Sequence, residues 1–65
     1  MEQIAYRIYG KANDMKTFKA LDIQEGRLVN NLIYASLWYN LKDATNSLND
    51  LKRQNSGIQF EIRKV

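Results

Sequence analysis

Cysteine, histidine and proline are all absent from this chain of 65 residues. Without cysteine, neither a disulfide nor a thiolate metal site can supplement the core. Without histidine, the chain lacks the commonest metal ligand and the side chain most used for proton transfer near neutral pH. Glycine is scarce, and Gly10, Gly26 and Gly57 stand too far apart to build a phosphate-cradling loop. Turns must therefore be made largely by asparagine and aspartate. No apolar run approaches the roughly 20 residues of a membrane span, and the first residues show no apolar h-region of a secretory signal. The cytoplasm is the expected compartment, with no membrane partner.

What is present argues for a packed core. The hydrophobic share is 45%, with one tryptophan, four tyrosines and two phenylalanines. A chain of this size makes one domain, 1–65, near the lower limit for folding without staples. Ten basic residues against seven acidic ones give a net charge of +3. That is well short of the Lys/Arg stripe that declares a nucleic-acid binder by itself.

The clearest periodicity lies at 58–65, where Ile58, Phe60 and Ile62 alternate with Gln59, Glu61 and Arg63 behind Gly57. This is the period of a strand with one face on a core. A second alternation at 2–9 sets Ile4, Tyr6 and Ile8 against Ala5, Arg7 and Tyr9. Asn13-Asp14 predicts a reversal, and 16–21 a second strand with Phe18 and Ala20 facing the core and Thr17, Lys19 and Leu21 facing away. Asp22 to Gly26 is a turn in which Gly26 can take a positive φ. Leu28-Val29 is ambiguous, interrupted by Asn30-Asn31. The run 32–39 is rich in β-formers and reads as the third strand, central and covered on both faces. Asn40 is a good helix N-cap, with Asp43 in the first turn. Leu41, Ala44, Leu48 and Leu51 then mark one apolar stripe of a helix over 41–53, with Lys52 and Arg53 at the end favoured by the dipole.

The predicted fold is α+β: a predominantly antiparallel four-stranded sheet with one helix on one face, in the order β-β-β-α-β. Its expected core is Ile4, Tyr6, Ile8, Phe18, Ala20, Ile33, Ala35 and Leu37 with Leu41, Ala44, Leu48, Leu51, Ile58, Phe60 and Ile62. One helix covers one face only, so function is expected on the other. Alternation sends Arg7, Tyr9, Lys19, Tyr34, Trp38 and Arg63 there. Aromatic rings with arginine combine large contact area with hydrogen bonds at the tip, as interface hot spots do. Nucleic-acid-binding sheets use the same pair of residue types, while cross-strand Tyr, Thr, Arg and Lys also suit a merely solvated sheet. Leu21, Leu32 and Trp38 on that face favour a protein partner, since open apolar groups there need a cover. A one-residue slip of the third strand would instead carry Trp38 into the core.

No nucleophile motif is present, because Ser36, Ser47 and Ser56 have no histidine as base. Asp22 and Glu25 share a turn, but a calcium loop needs more oxygen ligands at fixed spacing. The expectation is a non-enzymatic module that takes no cofactor, metal or small-molecule substrate. It would bind a protein partner or its own copy through the open face, with nucleic acid as the alternative ligand of that face.

The residues Tyr6-Arg7-Ile8-Tyr9-Gly10-Lys11 and the run 37–51 give the chain a weak resemblance to the arm-type, AP2-like DNA-binding domains of tyrosine recombinases. Those domains set a three-stranded sheet on one helix, and the sheet enters the major groove. The resemblance implies DNA as the ligand of the sheet. The chain departs from it in the added strand at 58–65, a longer second connection and modest positive charge. In size and composition it also looks like short proteins of phages and mobile elements.

Overall fold

A computed structural model describes residues 4–65. Four strands, β1 (Tyr6–Ala12), β2 (Lys19–Asp22), β3 (Arg27–Val29) and β4 (Ile58–Lys64), form one antiparallel sheet in the order β3-β2-β1-β4. One helix, α1 (Leu41–Gln54), packs against β4 and β1. Among the described residues, the α+β class, the four strands and the single helix are as expected.

The two long strands take their register from side-chain fit. Ile8 stands opposite Ile62, Gly10 opposite Phe60 and Ala12 opposite Ile58, all on the helix side. Ile8 is the one large side chain among the described residues that is fully buried, at 0% exposure. Ala44 is equally buried, and its small side chain lets the helix lie close to the sheet. At Gly10 a Cβ would come within 2.9 Å of Leu28 Cδ2 and 3.0 Å of Phe60 Cε1. Only the missing side chain lets Leu28 and Phe60 meet over the strand.

The helix starts and stops where its caps dictate. The Asn40 side chain accepts a hydrogen bond from Lys42 N–H (2.8 Å), satisfying a donor that the first turn leaves free. At the other end, Asn55 N–H donates to the Leu51 carbonyl (2.9 Å). Of the apolar stripe, Ala44 is buried and Leu48 and Leu51 half-buried, whereas Leu41 in the first turn is exposed.

Three expectations need correction. The first strand runs to Ala12 rather than stopping at Tyr9; of its expected start, Glu2 and Gln3 lie outside the described residues, and Ile4 is exposed. Strand β2 begins later than expected, and its register pairs Ala20 with Tyr9 and Lys19 with Gly10. Leu21 therefore faces the helix side and is 4% exposed, while Ala20 and Phe18 belong to the opposite face. A slip of one residue turns every side chain over.

The third correction concerns 32–39. The third strand is the pair of residues left ambiguous, Leu28-Val29, with Arg27. Asp22 Oδ1 accepts from Gln24 N–H (3.1 Å) and Glu25 N–H (3.3 Å), and Gly26 takes φ +65°, which closes a tight β2–β3 hairpin. Asn31 then ends β3 by accepting from Ile33 N–H (3.1 Å), capping a single 3-10 turn at Leu32–Tyr34. Local side-chain hydrogen bonds outcompete the strand propensity of this run. Ile33 is 78% exposed and Leu37 is also exposed, so neither joins the core. The segment instead crosses the gap beyond the end of β2. Ser36 N–H donates to the Leu21 carbonyl (2.9 Å), and Trp38 exchanges two backbone hydrogen bonds with Tyr6 (2.7 and 2.9 Å).

Replacing Gly10 by alanine should destabilise the fold by about 1–3 kcal/mol through overpacking against Leu28 and Phe60. Urea denaturation followed by tryptophan fluorescence reads the shift in midpoint.

Candidate functional site: the second face of the sheet

The face away from the helix divides in two. Over β2 and β3 the chain covers itself. Ala20, Asp22 and Val29 are buried there, and Leu32, Asn30 and Phe18 line a shallow groove with Tyr9, Ala20 and Val29. Over β1 and β4 the face stays open. The helix is thus only one of two covers, and the open area is smaller than the sequence suggested.

The open half is built by strand register. Arg7 pairs with Arg63 and Tyr9 with Glu61, so these four side chains stand side by side. Arg63 Nη2 donates to Glu61 Oε1 at 2.8 Å. The same guanidinium lies over the Tyr9 ring, its Cζ 4.4 Å from the centroid, and 5.4 Å from that of Phe18. The ring faces attract the cation while leaving its edge free to donate. The hydrogen bond to the Glu61 carboxylate comes first in holding the Arg63 pKa above its ordinary value. Arg7 is less exposed, and among the described residues nothing accepts from its buried Nε.

Of the six residues read from sequence as the binding face, three come together: Arg7, Tyr9 and Arg63. Lys19 does not join them, since its position opposite Gly10 sets it on Leu21's side of the strand. Tyr34 is 60% exposed but sits in the 3-10 turn rather than the sheet. It borders a depression with Asp22, Arg27 and Ile33. Trp38 belongs to the helix side: half-buried, its indole N–H donates to Ser47 Oγ of α1 (3.2 Å). Its bridge to Tyr6 puts it there, because paired residues share a face.

Phe18 and Ile33, both expected in the core, were missed in the sequence: Phe18 flanks the Arg63 stack. Ile33 joins Leu32 and Tyr34, which were expected on this face, in an exposed apolar ridge beside its covered half, where a third strand was expected. The doublet Asn30-Asn31 was the signal for that ridge, since asparagine is a cap as readily as a strand interruption.

Among the described residues, no three acidic side chains converge as a metal site would require, and no helix is long and apolar enough to cross a membrane. Compared with known proteins, the chain matches no family model, no curated protein and no solved structure.

These placements separate two tyrosine and tryptophan roles. Trp38→Ala should cost about 2–4 kcal/mol of stability, because packing and an indole hydrogen bond are lost. Tyr34→Ala should stay within about 0.5 kcal/mol of the parent. Thermal unfolding followed by far-UV circular dichroism compares the two.

Proposed function

We propose that this protein is a small non-enzymatic interaction module that binds a protein partner through the second face of its sheet. The observation that carries the reading is the exposed apolar turn of Leu32, Ile33 and Tyr34, whose Leu32 lines one groove with Tyr9 and Phe18 of the Arg63 stack. Apolar side chains held in the open by a capped turn gain from being covered. The Arg63 guanidinium is already held by two rings and by Glu61, so less side-chain entropy is lost when its free donors engage an acceptor. Arg7 and Lys11 add positive charge beside the stack, where Glu61 is already engaged by Arg63, whereas Asp22 and Glu25 stand with Arg27 around Ile33 and Tyr34. The partner that suits it has an apolar centre and acidic groups on the side of the Arg63 stack.

The second reading, a nucleic-acid ligand for the same face, draws on Arg7 and Arg63 standing opposite each other. It is also what the resemblance to arm-type domains implies. Apolar contact and phosphate contact respond differently to salt, because phosphate binding releases counterions.

The test compares columns carrying the parent chain and the Ile33→Ser/Tyr34→Ala double variant, washed at low and high salt. Proteins retained by the parent at both salts and lost by the variant are the expected result. Light-scattering mass with a generic DNA duplex supplies the control. A gain in mass confined to low salt, unaffected by the double variant but abolished by Arg7→Ala/Arg63→Ala, would overturn the protein reading in favour of nucleic acid.

A further inference from the structure

The sheet has two outer strands, and they are unequal. Strand β3 is three residues long and ends at an asparagine cap, a blunt edge of the kind that resists pairing. Strand β4 is seven residues long and occupies the other edge. Its outer backbone groups can be identified from the hydrogen-bond phase. Val65 N–H donates to the Ala5 carbonyl at 2.8 Å. In an antiparallel ladder such bonds recur at every second pair, so Arg63, Glu61 and Gln59 turn their backbone groups toward Arg7, Tyr9 and Lys11. Strand β1 shows the complementary phase, as Tyr6 exchanges its groups with Trp38 on the opposite side. The N–H and C=O groups of Phe60, Ile62 and Lys64 therefore point away from the sheet.

The side chains of the same strand are self-complementary. Glu61-Ile62-Arg63 reads as acid, apolar, base, and reverses its charge order when the strand is turned end to end. We infer that β4 is a homodimerisation edge, pairing antiparallel with β4 of a second copy about a two-fold axis through Ile62. In that register Ile62 exchanges both backbone hydrogen bonds with Ile62 of the second copy. Phe60 does the same with the second copy's Lys64, and Lys64 with its Phe60. Between them Glu61 stands opposite Arg63 of the second copy, and Arg63 opposite its Glu61. These occupy the non-hydrogen-bonded sites, where facing side chains are closest.

Charge selects this register over its neighbours. Shifting the axis to Glu61 keeps the backbone phase but sets two carboxylates face to face. Shifting it to Phe60 places Glu61 opposite Gln59 and Arg63 opposite Gly57, leaving both charges without cross-strand partners. The Ile62-centred pairing instead extends each Glu61–Arg63 pair into a ring of four alternating charges on one face. The two four-stranded sheets become one, and the open halves of the two second faces lie next to each other. This inference concerns the edge and stands independently of the partner bound by the face.

Sedimentation equilibrium of the full chain over a range of concentrations tests it. The expected result is a monomer–dimer equilibrium. Glu61→Arg, which sets like charges opposite one another at both symmetric sites, should weaken it by roughly tenfold or more. The swap Glu61→Arg/Arg63→Glu should restore it. Lys64→Pro should weaken it as well, since it deletes an outward N–H while the side chain it removes is exposed; circular dichroism confirms that each variant folds. Amide hydrogen exchange should show Ile62 and Lys64 gaining protection as concentration rises. Ile33→Ser/Tyr34→Ala should leave the dimer unchanged, so failure of the face reading and failure of the edge pairing are told apart. A chain that stays monomeric up to its solubility limit overturns the inference. So does a dimer indifferent to both Glu61→Arg and Lys64→Pro, or one that the charge swap does not restore.

Discussion

The close approach of β1 and β4 over Gly10 is the constraint on which the rest of the molecule depends. Phe60 can lie across the strand only because position 10 has no side chain, and Leu28 of β3 reaches the same space. That contact ties the edge strand β3 to the opposite edge strand β4 above the two strands between them. It also pins the β1–β4 register, since any slip would bring a Cβ into the gap or move Ile8 away from Ile62. With this register set, the helix has a floor to lie on, and the second face receives Arg7, Tyr9, Glu61 and Arg63 in one block.

A chain this short buries few large side chains, and the fold compensates by spending its polar residues on the backbone. Asp22, Asn31, Asn40 and Asn55 each hold a turn or a helix end. Ser36 and Ser47 receive N–H groups from Ile23 and Trp38. Such local bonds are individually modest, on the order of 1 kcal/mol. Their larger effect is to forbid alternatives. In a chain without proline or disulfides, they prevent the apolar run after Asn31 from extending the sheet.

That choice decides where apolar surface is left over. Had 32–39 formed a central strand, Ile33 and Leu37 would be covered by the helix. As a capped turn and crossing segment, the run seals Ala20 and Val29 from one side and anchors Trp38 to the helix on the other. Between these anchors it exposes Ile33 and Tyr34. The same property that makes the connection structural leaves these side chains in solvent.

Much was determined by local pattern alone. Alternation at 58–65, the Asn40 cap with its stripe of Ala44, Leu48 and Leu51, and the glycine turn at Gly26 are short-range features. Their physics is complete within a few residues, so the α+β class, the helix and the closing strand were legible in the sequence. So was the grouping of Arg7 and Tyr9 on one side of β1, and of Arg63 on the corresponding side of β4. What only the tertiary structure decided was register and competition. Lys16 to Leu21 carries apolar residues on both sides, so its facing depended on which neighbours Leu21 could reach, namely Leu28, Leu51 and Phe60 on the helix side. The fate of 32–39 depended on whether Asn31 would cap or Leu32 would pair, and Asn31 caps. Trp38 went to the helix side for the same reason: the backbone of Tyr6 was free on that flank, and pairing with it dictated the direction of the indole.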